Sequence, residues 1–220
     1  MSELRLYDYP ASANCLKARM LLALLGRAYK RVDTDIFGGA TLTDEFGALN
    51  PARETPVLVT ADGEALAQSN AICWFLAEGT PYLPADALGR ARVVQWLFFE
   101  QERVMPGIGG PRFRLQTGRA AADDPAIVAR LELGRDALGQ LEAHLAGRSW
   151  LVGDGPTIAD VSVYAYAHLA EEAGLPVAPY PAFRAWVARV EGLPGFVNDL
   201  APYPPNAAPG AGRSIYGPAA

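Results

Sequence analysis

Histidine and cysteine are scarce in this chain of 220 residues: His144 and His168, Cys15 and Cys73. The two cysteines are far apart in sequence and form no CxxC pair or metal-ligand spacing, so neither a structural zinc site nor a disulfide framework is expected. Long apolar runs are missing as well. The stretch around Met20–Leu25 is far too short to cross a bilayer. Met1–Tyr9 has no apolar core of the kind a secretory signal carries, and a cytoplasmic location is the expectation. Positive charge is not in excess: 19 basic against 24 acidic side chains give a net charge of −5. No global field is available to hold nucleic acid or an anionic membrane surface. What is present is ordinary globular composition, half hydrophobic and one fifth charged, in a length suited to one large domain or two modest ones.

The order of local patterns suggests two. Leu4 and Leu6 lie in a short alternating stretch that reads as a strand. Ser12 then opens a helix carrying Leu16, Met20, Leu21, Leu24 and Leu25, with Gly26 placed to end it. Tyr29–Asp33 reads as a second strand, parallel to the first because a helix connects them. A short helix over Thr43–Leu49 closes at Asn50-Pro51, since the residue before proline avoids the helical region. Val57–Thr60 and Glu64–Ala67 flank Asp62-Gly63, a hairpin signal. Ser69 then caps a helix over Asn70–Glu78. The order β-α-β-α-β-β-α within residues 1–79 is thioredoxin-like. A linker at 80–87 follows, and past it the strand signals vanish. An all-helical domain is expected over 88–200: a helix at Leu88–Val104, heavy interruption at Pro106-Gly107 and Gly109-Gly110-Pro111, then helices from Asp124-Pro125 to Ala146, over Thr157–Ala173 and over Pro181–Glu191. An irregular tail over 201–220 ends the chain.

Three features of the first domain suit a thiol-bearing anionic ligand. Ser12 lies where the first strand turns into a helix, and a helix N-terminus together with a hydroxyl donor stabilises a thiolate; an ordinary N-cap serine fits the same pattern. Thr55-Pro56 precedes an apolar strand. If that bond is cis, the Thr55 backbone can pair with an extended peptide, although local sequence favours a trans proline at a strand start. Gln68-Ser69 begins the next helix, where a hydroxyl and open N–H groups can hold a carboxylate or simply cap.

Taken together, Leu4–Gly26 (LRLYDYPASANCLKARMLLALLG), Leu49–Val59 (LNPARETPVLV), Leu66–Gly79 (LAQSNAICWFLAEG) and Gly153–Ala165 (GDGPTIADVSVYA) resemble the glutathione transferase superfamily, in particular its bacterial serine-type (theta- or nu-like) members. In the last segment Thr157 and Asp160 also have the spacing of a capping box. The resemblance covers about residues 3–200. It implies a cytoplasmic homodimer active in detoxification, with glutathione as co-substrate for conjugation to a small hydrophobic electrophile or for reduction of a peroxide or disulfide, and no metal. Ser12 falls where a hydroxyl meets the glutathione sulfur, and Asn14 where some bacterial members assist it. Thr55, beside the family's cis-proline Pro56, falls where the cysteinyl backbone pairs, and Gln68 and Ser69 where the γ-glutamyl group is held. At Glu54 the family usually carries a cation for the glycyl carboxylate, so either Arg53 or Lys17 supplies that charge or the ligand differs from ordinary glutathione. Phe99, Arg103 and Phe113 are the candidates for an electrophile pocket, and Arg19 and Arg92 for charges at a dimer interface. Two alternatives remain beside the transferase: a thiol–disulfide oxidoreductase using Cys15, and a non-catalytic binding module on the same fold.

Overall fold

A computed structural model describes residues 3–215, which divide into two compact units: one built from the chain up to Leu76 together with Val197 onward, the other from Ala77 to Phe196. In the first unit the strands β1 (Arg5–Asp8), β2 (Lys30–Asp33), β3 (Val57–Val59) and β4 (Ala65–Ala67) form one sheet in the order β2-β1-β3-β4. β1 and β2 run parallel with Leu6 opposite Arg31, whereas β1–β3 and β3–β4 are antiparallel, with Leu6 opposite Leu58 and Leu58 opposite Leu66. All three β3 residues are buried, as a continuous apolar run in a central strand requires. Side chains alternate along β1: Leu6 and Asp8 are buried, while Tyr7 meets Phe46 edge-on at 6.0 Å on the other face. Phe46 belongs to α2 (Asp44–Leu49), which Thr43 caps through its hydroxyl.

The helix α1 (Ala13–Leu24) follows β1 directly. Ser12 is its N-cap, accepting from the Cys15 N–H, and Gly26 takes a left-handed φ of 60° just past its end. Leu16, Met20, Leu21 and Leu22 are fully buried, and so is nearly all of Arg19. Arg19 is therefore not an exposed interface charge: its guanidinium pairs with buried Asp8 and with Asp199 of the returning tail. Helix α3 (Ser69–Ala77) completes the unit. Its first N-terminal carbonyl comes from Gln68, which accepts from Ile72 N–H, so Ser69 is the first helical residue rather than the cap.

The returning tail is irregular apart from one turn at Pro205–Ala207, and it is held to the first unit at several points. Ala201 N–H donates to Pro10 C=O, Asn206 Nδ2 to Asp35, and Arg213 N–H to Phe37 C=O. The final residues of the expected tail, 216–220, lie outside the described residues.

The second unit contains α4 (Ala87–Phe99), α5 (Gly110–Gln116), α6 (Pro125–Leu145), α7 (Ile158–Ala167) and α8 (Pro181–Glu191). The interruption expected after α4 does not occur. Residues Glu100–Gly109 continue as a π-helical segment that runs straight into α5. Glycine and proline oppose an α-helix here by propensity, yet packing decides the outcome. A Cβ on Gly107 would lie 2.6 Å from the Gly134 nitrogen of α6, and one on Gly109 would lie 2.4 Å from the Tyr166 ring of α7. The glycines permit close helix–helix approach rather than a break. Helix α7 is also shorter than the expected Thr157–Ala173: it ends at Ala167, and Glu171–Ala173 form a separate 3-10 turn.

At the start of α7 the capping box is complete. The fully buried Asp160 carboxylate accepts from Thr157 N–H at 2.9 Å, Leu151 N–H at 3.0 Å and Trp186 Nε1 at 2.9 Å. It therefore joins the preceding loop, α7 and α8 at one point.

Candidate functional site

Four candidate residues of the first unit, Ser12, Asn14, Gln68 and Ser69, lie at the starts of α1 and α3. β1 delivers Tyr9 and Pro10 to a turn, in which Ser12 N–H donates to Tyr9 C=O at 3.0 Å. Ser12 is half-buried in extended backbone, and its Oγ accepts from Cys15 N–H at 3.3 Å. Asn14, two residues on, is likewise half-buried. Across from it, Ser69 is 95 % removed from solvent and donates its hydroxyl to Asn14 Oδ1 at 3.1 Å. A hydrogen bond thus ties the first turn of α1 to that of α3, bringing the candidates Asn14 and Ser69 into contact.

β3 is entered through Thr55-Pro56, and this peptide bond is cis. Strand pairing begins at Val57, opposite Tyr7 and Ala67, leaving Thr55 beyond the end of the ladder. Among the described residues, two non-glycine residues adopt a left-handed φ, Arg53 at 57° and Gln68 at 69°, and they flank the β3–β4 hairpin on either side. Such conformations cost free energy and concentrate at functional sites.

Neither cation proposed for the glycyl carboxylate stands uncommitted. Arg53 donates through Nη1 to the carbonyls of Thr43 at 2.7 Å and Thr41 at 3.1 Å, bracing the loop before α2. Glu54 contributes its backbone carbonyl to Asn50 Nδ2 at 2.8 Å. Lys17 is fully buried and its Nζ reaches Ser69 Oγ at 3.3 Å and Asn70 Oδ1 at 3.4 Å, at the start of α3. Lys17 and Asn70 thus lie beside the candidates Asn14 and Ser69, a placement that the motif spacing does not give. The available signal was the placement of Asn14 and Lys17 three apart, on one face of α1.

Cys15 is fully enclosed, its sulfur accepting from Tyr9 N–H at 3.3 Å. Burial, with Asp8 adding repulsion, pushes its thiol up to about 11. A thiol of that kind is almost wholly protonated at neutral pH and lacks access to a disulfide, which removes the basis for a Cys15 redox centre.

The electrophile candidates lie along one helical run of the second unit. Phe99, at the end of α4, packs edge-on against Trp96 at 5.0 Å, and Trp96 in turn meets His144 at 4.7 Å. Arg103 is half-buried in the π-helical segment, and Phe113 of α5 lies under the Arg119 guanidinium at 5.3 Å. A cavity of about 240 Å³ in this unit, between α7 and α8, is lined by His168, Glu171, Phe183, Val187 and Glu191 among others, and by none of these candidates.

Residues 11–78 match the family model described as the N-terminal domain of glutathione S-transferase, and residues 124–189 match that of its C-terminal domain. The chain is similar to glutathione S-transferase 3 of Zea mays, with 33 % identity over 219 residues, covering 93 % of this chain and 97 % of the relative. Maleylacetoacetate isomerase of Rhizobium meliloti is 33 % identical over 206 residues, covering 89 % of this chain and 94 % of that protein. Among solved structures, a glutathione S-transferase from Xanthobacter autotrophicus superposes with a TM-score of 0.84 at 45 % identity, covering 90 % of this chain and 97 % of the other.

Proposed function

The chain belongs to the glutathione S-transferase family and is a glutathione transferase; on that premise we propose that it is a serine-type member, in which Ser12 holds the thiol of glutathione as a thiolate for attack on a small hydrophobic electrophile. The reading rests on one observation above the others, the Ser69–Asn14 hydrogen bond that joins two helix N-termini. Both helix starts carry partial positive charge, suited to a ligand with a thiolate at one point and a carboxylate at another.

The chemistry follows from which proton each group can give. Ser12 Oγ uses a lone pair to cap α1, and capping consumes no hydroxyl proton, so Ser12 can still donate to sulfur. Asn14 would give a second donor. One unit of thiol pKa corresponds to about 1.4 kcal/mol, so a charge-assisted hydrogen bond and a helix end are together worth roughly two units. Thr55 would pair with the cysteinyl backbone, Gln68 and the first N–H groups of α3 would hold the γ-glutamyl end, and Phe99, Arg103 and Phe113 would face the electrophile. Prior positioning of the thiolate supplies the remaining rate gain.

Conjugation of glutathione to an activated aryl halide, followed in wild type and Ser12→Ala, tests this assignment. A peroxide assay run alongside separates conjugation from peroxide reduction.

A further inference from the structure

Lys17 has no part in the mechanism above, yet it is a fully buried cation that reaches from α1 to the start of α3. Its Nζ donates to Ser69 Oγ at 3.3 Å and to Asn70 Oδ1 at 3.4 Å. An ammonium offers three protons and no acceptor, so the direction of the first hydrogen bond is settled: Ser69 Oγ accepts. The Ser69 hydroxyl then has one proton to give, and the partner in reach is Asn14 Oδ1 at 3.1 Å. The two ends of an asparagine amide have nearly the same shape, and only the network around them tells them apart. Here the network is polarised from one end. A buried positive charge favours the carbonyl oxygen of Asn14 on its own side, whereas the reversed amide would crowd two donors onto Ser69 Oγ beside that charge. Asn14 therefore keeps its oxygen towards α3 and turns its NH₂ group away from Ser69.

We propose that Lys17 is a positioning residue for the transferase reaction: acting through Ser69, it locks the Asn14 amide so that the NH₂ end, and not the oxygen, meets the sulfur of bound glutathione. The inference rests on the glutathione-activating reading and adds a directional element to it. An Asn14 free to flip would present its carbonyl oxygen to the sulfur part of the time, and an oxygen facing a thiolate is repulsive. Lys17 removes that orientation. The same relay, Lys17 to Ser69 to Asn14, links the place where the γ-glutamyl group would sit to the place where the thiol would sit. The three residues are drawn together from sequence separations of 52 and 55 positions.

The ultraviolet absorption of the thiolate of bound glutathione at neutral pH reads this directly, measured on the full chain with glutathione at saturation. Lys17→Met is expected to lower the thiolate signal and kcat on the order of tenfold, the worth of one hydrogen bond to a charged group, while glutathione still saturates the protein. Lys17→Arg, which also only donates, is expected to keep the signal within about twofold. Asn14→Asp, which can accept from Ser69 but offers sulfur a carboxylate, is expected to lose at least as much as Lys17→Met. A folded Lys17→Met with undiminished thiolate signal overturns the proposal, as does a Lys17→Arg as impaired as the methionine variant. If Lys17→Met does not fold, the Arg and Asp variants decide: signal kept in the first and lost in the second supports the relay, and an undiminished signal in Asn14→Asp overturns it. A wild type that binds no glutathione at millimolar concentration takes down the functional reading and the relay together. A wild-type thiolate that ignores the Lys17 and Asn14 substitutions takes down the relay alone.

Discussion

At Cys15 the residue type and its surroundings point in opposite directions. A cysteine three positions past Ser12, in the first turn of a helix, has the sequence setting of a reactive thiol. Its side chain, however, faces the interior, and the sulfur accepts a backbone N–H from Tyr9. Removing a thiolate from water costs more than the helix end returns, so the thiol is raised to about 11. Below that pH the group stays protonated, and the thiolate gains population only as pH rises towards it. Native protein treated with a chromogenic disulfide between pH 7 and 9 should therefore leave Cys15 unmodified, with both cysteines reacting only after unfolding, because Cys73 is equally buried. Mapping a rapid mixed disulfide with glutathione to Cys15 in the native protein would contradict this.

The other residues of the site were legible in different degrees. Ser12 and Thr157 were readable as caps because a cap is decided by chemistry within three residues. Ser69 reads as the cap of α3 but is its first helical residue. Its hydroxyl serves Asn14 and Lys17 of α1 rather than its own helix, and no local rule reports a contact across more than fifty residues.

Among the elements, those with strong local punctuation were found close to their observed bounds: α1 with Ser12 and Gly26, the β3–β4 hairpin with Asp62-Gly63, α6 with Asp124-Pro125. The π-helical segment is the counter-example. Its Pro106, Gly107 and Gly109 carry a breaking signal in isolation. That signal is overridden because Gly107 lies against the Gly134 backbone of α6 and Gly109 against Tyr166 of α7, contacts that exist only once the unit has packed. A hydrophobic-period argument contains no information about which helix approaches which.

The start of α7 illustrates the opposite case, a local signature with a long-range function. The Thr157–Asp160 spacing is visible in sequence, but Asp160 also receives the indole N–H of Trp186 in α8 and the N–H of Leu151. Asp160→Ala would leave those donors buried without a partner. The expected loss is about 3–5 kcal/mol, measured as a shift of the urea unfolding midpoint followed by far-ultraviolet circular dichroism. An effect near 1 kcal/mol, the usual worth of a solvent-exposed cap, would show that the carboxylate acts only within α7.

For the molecule as a whole, the chain leaves its first unit after Leu76 and returns to it at Val197. The return is fastened by Asp199, which accepts from Arg19 Nε at 2.7 Å and from Arg31 Nη1 at 3.4 Å. Composition marks this stretch as irregular but not where it attaches, since proline, glycine and alanine carry no hint of an ion pair with a residue 180 positions earlier. Asp199→Ala should speed proteolytic cleavage between residues 197 and 215 several-fold while the helical unit stays intact; an unchanged cleavage rate would mean that the backbone contacts at Pro10 and Phe37 suffice.

The central claim, that the hydroxyl of Ser12 activates the thiol of glutathione, is tested most directly by kcat/KM for conjugation of glutathione to an activated aryl halide in wild type and Ser12→Ala. Loss of the cap alone costs about 1 kcal/mol of stability and leaves glutathione affinity nearly unchanged. Loss of a hydrogen bond to the thiolate lowers the rate on the order of ten- to a hundredfold. The account predicts an active wild type and a folded Ser12→Ala that binds glutathione but conjugates it at a few per cent of the wild-type rate. An active wild type with an equally active Ser12→Ala would contradict it.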